Sequence, residues 1–344
     1  MKYVSWVEKN RPNNLDEICY QEEVKEGLRN FVENKNIPHL LFFGPSGSGK
    51  TSTIIALAKE LFGEHYRDRI KELNASDERG INVVREKIKN YAQESINLTQ
   101  TKNLNLPPWK IIILDEADNM TSESQYALRR IMEECSKVTR FCIICNYHHK
   151  IIDPIVSRCS LFRFRPISNK NIHNKLKYIC NEEKMYCSER NINKIINISR
   201  GDLRKAVNLL QKCKFNKSFV SEQSKINELD NINEELIDEI SGITKKIYMD
   251  NLITYAINKE YIELNKTINN IHISSYSITN MIEPFTYIII KSNAFSDREK
   301  SLIIQKIVSV DQNLLKGCDE FIQLYRLVYY IMMIGVIVII VLLI

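Results

Sequence analysis

The stretch GPSGSGKTS sets Gly44, Pro45, Ser46, Gly47, Ser48, Gly49, Lys50, Thr51 and Ser52 in the spacing GxxxxGK[ST]. Glycines let backbone amides curl around phosphate oxygens, a lysine after them reaches the β- and γ-phosphates, and the next hydroxyl ligates magnesium. The stretch follows the apolar run HLLFF and opens the amphipathic run TSTIIALAKEL, so a strand leads in and the positive end of a helix faces the anion. A second pair completes the chemistry. IIILDEAD carries Asp115 and Glu116 out of an apolar strand at its carboxyl end, where open α/β sheets bind ligands. Asp115 is suited to hold magnesium through water and Glu116 to polarise an attacking water, so the two motifs together point to ATP hydrolysis with Mg2+.

Five further positions carry polar groups that local structure does not settle. Asn146 ends the apolar run RFCIIC, where an amide either positions the attacking water or γ-phosphate, or simply caps a turn. Arg204 lies in SRGDLRKAVNLLQ, in which Gly201 ends one helix and Asp202 caps the next. An arginine in a first helical turn opposes the macrodipole, and a phosphate would supply the missing partner. Arg158 sits between Ser157 and Cys159, just after the proline-broken turn IIDP and just before the aromatic strand LFRF. That stretch alone allows a surface charge or a ligand contact. Arg85 and Lys89, four apart on INVVREKIKNYAQ, flank the stripe Ile81, Val84, Ile88 and Tyr91 of a helix that Ser76 or Asp77 can cap. They form a solvated basic face or a track for nucleic-acid phosphates.

The elements that must position these groups follow from periodicity. Strand-length apolar runs at 39–43, 70–74, 110–115, 140–146 and 161–164 alternate with amphipathic helices, the pattern of a parallel five-stranded sheet with flanking helices. Ser122 and Gln125 read as a capping box for the helix that carries Arg129 and Arg130. From Asn169 helical spacing takes over, the Asn- and Lys-rich stretch 212–233 reads as a loop or linker, and a further helical segment follows. The expected domains are 1–166 for the nucleotide, 167–233 as a helical lid with linker, 234–326 as a second helical domain, and 327–344 as an apolar tail.

Composition narrows the setting. A net charge of +6 over 344 residues is mild, and 44% apolar content fills ordinary cores. Nine cysteines in a chain too large to need staples argue for reduced thiols in the cytosol or nucleus. Cys142 and Cys145 are three apart on a strand, so they point to opposite faces and read as core rather than as a metal grip. The first residues, MKYVSWVEKN, have no signal-peptide core. After Arg326 an uncharged run of 18 residues meets the lower limit of a membrane span; a last buried helix extended by an atypical tail, or a mispredicted gene end, is expected rather than a tail anchor.

Taken together, WVEKNRP, FFGPSGSGKTS, ELNASDERGI, IIILDEADNMTSESQYALRRIMEE, FCIICNYHHKIIDPIVSRC and GDLRKAVNLLQ resemble the small subunits of replication factor C, the eukaryotic sliding-clamp loader of the AAA+ class. The resemblance runs from Trp6 to about Leu324 and implies an AAA+ α/β domain, a helical lid and an all-α collar. It implies a nuclear ATPase subunit of a hetero-pentamer of replication factor C subunits, with the sliding clamp and primer-template DNA as partners. It makes Arg158 a finger that completes the neighbouring subunit's ATP site, Asn146 and Arg204 the two sensors, and Val7 and Arg11 contacts on the adenine side. Arg85 and Lys89 become phosphate contacts on DNA. Asn10 stands where the family has an aromatic residue before RP, which leaves the adenine contact open there. Alternative readings are a helicase, from the letters DEAD at 115–118, and a non-hydrolysing ring subunit.

Overall fold

The computed structural model describes residues 4–18, 21–34, 36–75, 86, 88–94, 106–223 and 234–343, without the side chains of 216–223, 235 and 335–343. Two compact units divide the chain, Met1–Ile232 and Asn233–Ile344.

The first unit is built on five parallel strands, β1 His39–Phe43, β2 Ile70–Asn74, β3 Lys110–Asp115, β4 Thr139–Cys145 and β5 Cys159–Arg163, in the order β2-β3-β4-β1-β5. The sheet is the one that the apolar runs predict, with β4 starting one residue earlier and β5 shifted toward its cysteine. Central strands buried on both faces must be apolar along their inner stretch, and residues 111–114 of β3 and 141–145 of β4 are. Alternation then sorts the side chains into two layers. Leu40, Phe42, Ile111, Ile113, Cys142 and Ile144 pack with α2 (Glu22–Glu33) and α3 (Lys50–Phe62). Leu41, Ile112, Leu114, Phe141, Ile143 and Cys145 pack with α6 (Ser122–Glu134). Cys142 and Cys145 therefore fall on opposite faces. Each fully buried Leu, Ile or Phe in these layers contributes about 1.5–3 kcal/mol.

Shorter pieces complete this unit: α1 Trp6–Lys9, α4 Tyr66–Arg69, α5 Lys89–Gln93 and α7 Asp153–Val156. A lid of three helices follows, α8 Asn169–Glu182, α9 Glu189–Ser199 and α10 Leu203–Gln223, the first two capped by Ser168 and Ser188. Two local expectations change. Helix α6 is capped by Thr121, whose hydroxyl accepts from Ser124 N at 3.3 Å. Gln125 does not fold back to the cap; it is buried and bridges to Lys150 O at 3.0 Å and Ile152 N at 2.9 Å. The stretch read as a loop from Lys212 is helical as far as Gln223, because Leu209, Leu210 and Cys213 continue a buried stripe that outweighs the polar composition. Of the basic helix expected after NASDERG, Arg85, Ser76 and Asp77 lie outside the described residues; α5 is its last part, with Ile88 and Ala92 buried.

The second unit is all-helical: α11 Glu234–Ser241, α12 Lys246–Asn258, α13 Tyr261–Ile273, α14 Ile278–Lys291, α15 Asp297–Leu315 and α16 Glu320–Leu343. Its core includes Leu252, Ile268, Phe285 and Ile307 together with Leu327, Val328, Ile331, Met332 and Ile334 of α16. The apolar run after Arg326 is thus, through Ile334, the packing face of α16. Among the described residues no helix is long and apolar enough to cross a membrane.

Candidate nucleotide site

Since β4 lies between β3 and β1, three adjacent strands bring their carboxyl ends to one edge of the sheet. The glycine loop leaves β1, Asp115 ends β3 and Asn146 follows β4. One cavity of about 530 Å3 gathers them, lined by Ser46, Gly47, Gly49, Lys50, Thr51, Ser52, Asp115, Glu116 and Asn146, by Val7 and Arg11 from the amino-terminal segment, and by Arg204 from the lid. Gly44 and Pro45 line an adjoining cavity on the outer side of the loop, and Ser48 is buried under it with its hydroxyl donating to Pro45 O at 2.7 Å.

Lys50 donates to the carbonyls of Gly44 at 2.7 Å and Pro45 at 2.8 Å and to Asn146 Oδ1 at 3.0 Å. Burial pushes its pKa down, and the negative field of Asp115 opposes that shift. The Thr51 hydroxyl donates to Asp115 Oδ2 at 2.7 Å, while Asp115 Oδ1 accepts from Glu116 N at 2.8 Å. A hydroxyl and a carboxylate so close are hard oxygen donors of the kind magnesium takes. Glu116 holds a left-handed backbone with φ 52°, a strained setting for a non-glycine residue, and its Oε2 accepts from Asn119 at 3.3 Å.

The lid meets the loop at Gly47. With φ +65° and a Cβ position only 1.8 Å from Asp202 Oδ1, this residue has no room for a side chain. Asp202 accepts from the Ser46 hydroxyl at 3.1 Å and from Lys205 N at 2.9 Å, so the expected cap of α10 also touches the glycine loop. Arg200, in left-handed conformation, ends α9, with Gly201 following it. Helix α1 is clasped to the lid as well: Trp6 N donates to Gln211 Oε1 at 3.3 Å, and Glu183 pairs with Lys9 at 2.6 Å and Lys214 at 3.2 Å.

Motif reading missed the lid face that closes the cavity. Asn171, Asn174, Lys175 and Tyr178 of α8 line it at the i, i+3, i+4, i+7 spacing of one helical face. That polar stripe was the available signal. Asn10 also lines the cavity, but its amide donates to Trp6 O at 3.0 Å and so closes α1. Two residues stand apart. Arg158 lines neither cavity; it follows α7, donating to Pro154 O at 2.6 Å and to Glu133 Oε1 at 2.5 Å. Lys89 opens α5, half-buried and away from the cavity lining, and Arg85, its intended companion, lies outside the described residues.

Comparison with known proteins matches three stretches of the chain. The family model "DNA polymerase III, delta subunit" matches residues 20–168, "RCF1/5-like, AAA+ ATPase lid domain" matches 174–215, and "Replication factor C C-terminal domain" matches 244–330. The chain is similar to replication factor C subunit 4 of Homo sapiens, with 42% identity over 95% of this chain and 87% of the human protein. It is likewise similar to replication factor C subunit 2 of Saccharomyces cerevisiae, with 40% identity over 94% and 91%. The replication factor C small subunit of Archaeoglobus fulgidus is 41% identical over 95% and 96%. Among solved structures, the RuvB Holliday junction branch migration motor of Thermotoga maritima shares the fold, with a TM-score of 0.53 and 16% identity over 73% of this chain and 80% of that one.

Proposed function

The chain belongs to the family of replication factor C small subunits, AAA+ proteins of the clamp-loader class, and from that premise we propose that it hydrolyses ATP within a hetero-oligomeric ring. The ring opens a sliding clamp, places it around primer-template DNA and acts in the nucleus. The observation that carries the ATPase reading is the convergence of Lys50, Thr51, Asp115, Glu116, Asn146 and Arg204 on one cavity.

In this reading the loop amides from Ser46 to Thr51 cradle the phosphates and Lys50 turns from its own loop carbonyls to the β- and γ-phosphate oxygens. Thr51 and Asp115 hold magnesium, which when bound neutralises phosphate charge. Glu116 accepts a proton from the attacking water, Asn146 orients that water or the γ-phosphate, and Arg204 reports the phosphate to the lid. Val7 and Arg11 flank the adenine, while Asn10, spent on closing α1, does not. Arg158, which does not line the cavity of its own chain, completes the site of the adjoining subunit. Arg85 and Lys89 are proposed to touch DNA phosphates, a contact that reads no sequence.

The assembled complex tests this. Glu116→Gln is expected to retain ATP binding while turnover at its site falls by two orders of magnitude or more, roughly the weight of general-base catalysis. Lys50→Ala is expected to lose ATP binding itself, read by equilibrium titration. Full turnover by the Glu116→Gln complex would refute the assignment.

A further inference from the structure

Arg158 is an exposed arginine on a turn, yet its guanidinium is held at both ends: one nitrogen donates to Pro154 O at 2.6 Å, the other to Glu133 Oε1 at 2.5 Å. Pro154 belongs to the same turn, whereas Glu133 comes from α6, 25 residues away in sequence. A second arginine shares that carboxylate. Arg129 Nε lies 3.6 Å from the same Oε1, and it is buried with no hydrogen-bond partner. Two guanidinium groups share this one carboxylate, so the triad itself keeps one positive charge. The same helix grips the chain before Arg158 through Gln125, whose amide bridges Lys150 O and Ile152 N. Helix α6 therefore fixes the approach to the arginine and the arginine's tip.

We infer that Glu133 is a positioning residue that aims Arg158 at the phosphates of the adjoining subunit's nucleotide. An exposed ion pair adds little to stability, so its value lies elsewhere. A free arginine side chain explores many rotamers, and a guanidinium fixed on two elements before the subunits meet has already lost that freedom. The remaining positive charge of the triad is what a polyphosphate meets. The inference rests on the reading of Arg158 as a finger in trans, and its test separates the two.

The assay is ATP turnover by the complete complex in which every P-loop lysine, Lys50 included, is replaced except at the neighbouring site that Arg158 is proposed to complete. Arg158→Ala is expected to lower kcat there by about three orders of magnitude. Glu133→Ala is expected to lower kcat about ten- to a hundredfold, as for a misplaced group, with KM unchanged. Glu133→Gln, which keeps the acceptor, is expected to recover most of that loss. Glu133→Ala added to Arg158→Ala is expected to have no further effect, because the carboxylate acts only through the arginine. If Arg158→Ala leaves kcat intact, both the finger and the inference fall. If Arg158→Ala is impaired but Glu133→Ala is silent, raises turnover, or adds its full effect to the double variant, the inference alone falls.

Discussion

His39 lies far from any chemistry proposed here, yet it sets the most definite acid response of the first unit. Its Nδ1 accepts from Phe141 N at 3.1 Å, its ring packs against Phe141, and it also hydrogen-bonds the Met132 backbone, so β1, β4 and α6 meet on one neutral imidazole. Burial first, and the nearby Arg140 charge second, push its pKa from 6.5 down to about 4. The unfolded chain takes up a proton near pH 6.5 whereas the folded chain resists until about 4, so this group's stabilising share is present above 6.5 and is lost as the pH falls between those values. The shift corresponds to about 3 kcal/mol. The unfolding free energies of the wild type and His39→Asn are expected to differ by a constant amount above pH 7 and to converge toward pH 4; a gap unchanged over that range in denaturant titrations would contradict it. At the same scale, Lys50, Thr51, Asp115 and Glu116 were legible because their chemistry is written in adjacent letters. The roles of Glu133 and Tyr178, and the contact of Asp202 with the glycine loop, were not, because each arises only across the fold.

Among elements, α6 bears the most consequences, since it packs under the sheet and presents Gln125, Arg129 and Glu133 to the turn of Arg158. Its amino-terminal cap is Thr121, which accepts from Ser124 N at 3.3 Å and shares a hydroxyl contact with Ser124 at 2.9 Å. Thr121→Ala is expected to cost about 1 kcal/mol of stability, and Thr121→Ser to cost less. Chemical denaturation would show this as a lower midpoint with an unchanged slope. The reading of Ser122 as the cap failed by one residue because S-x-x-Q and T-x-x-S overlap here. Only the choice of buried partner for Gln125 distinguished them. Strands β1, β3 and β4, by contrast, were legible almost to the residue, since a strand buried on both faces leaves an apolar run through its middle.

At the scale of the molecule, the two units carry separate cores, and α16 closes the second one. Leu327, Val328, Ile331, Met332 and Ile334 are each at most 4% exposed. Removal of such a side chain typically costs 2–5 kcal/mol, so loss of all five exceeds what a small helical unit can spare. A chain ending at Ile334 is expected to keep the cooperative unfolding transition of the second unit, whereas one ending at Arg326 is expected to lose it. Calorimetry of both truncations decides the point, and equal behaviour would show that the run does not serve as packing face.

The sequence by itself determined the parallel sheet, the phosphate loop, the paired acids at the end of β3 and the family, because these depend on short-range spacing and on periodicities of two and 3.6. Tertiary structure alone decided that Lys50 meets Asn146, that the lid cap Asp202 sits on Gly47, and that Glu133 holds Arg158. Those contacts join residues 25 to 155 positions apart, and no local pattern records which distant side chain the strand order will bring within reach.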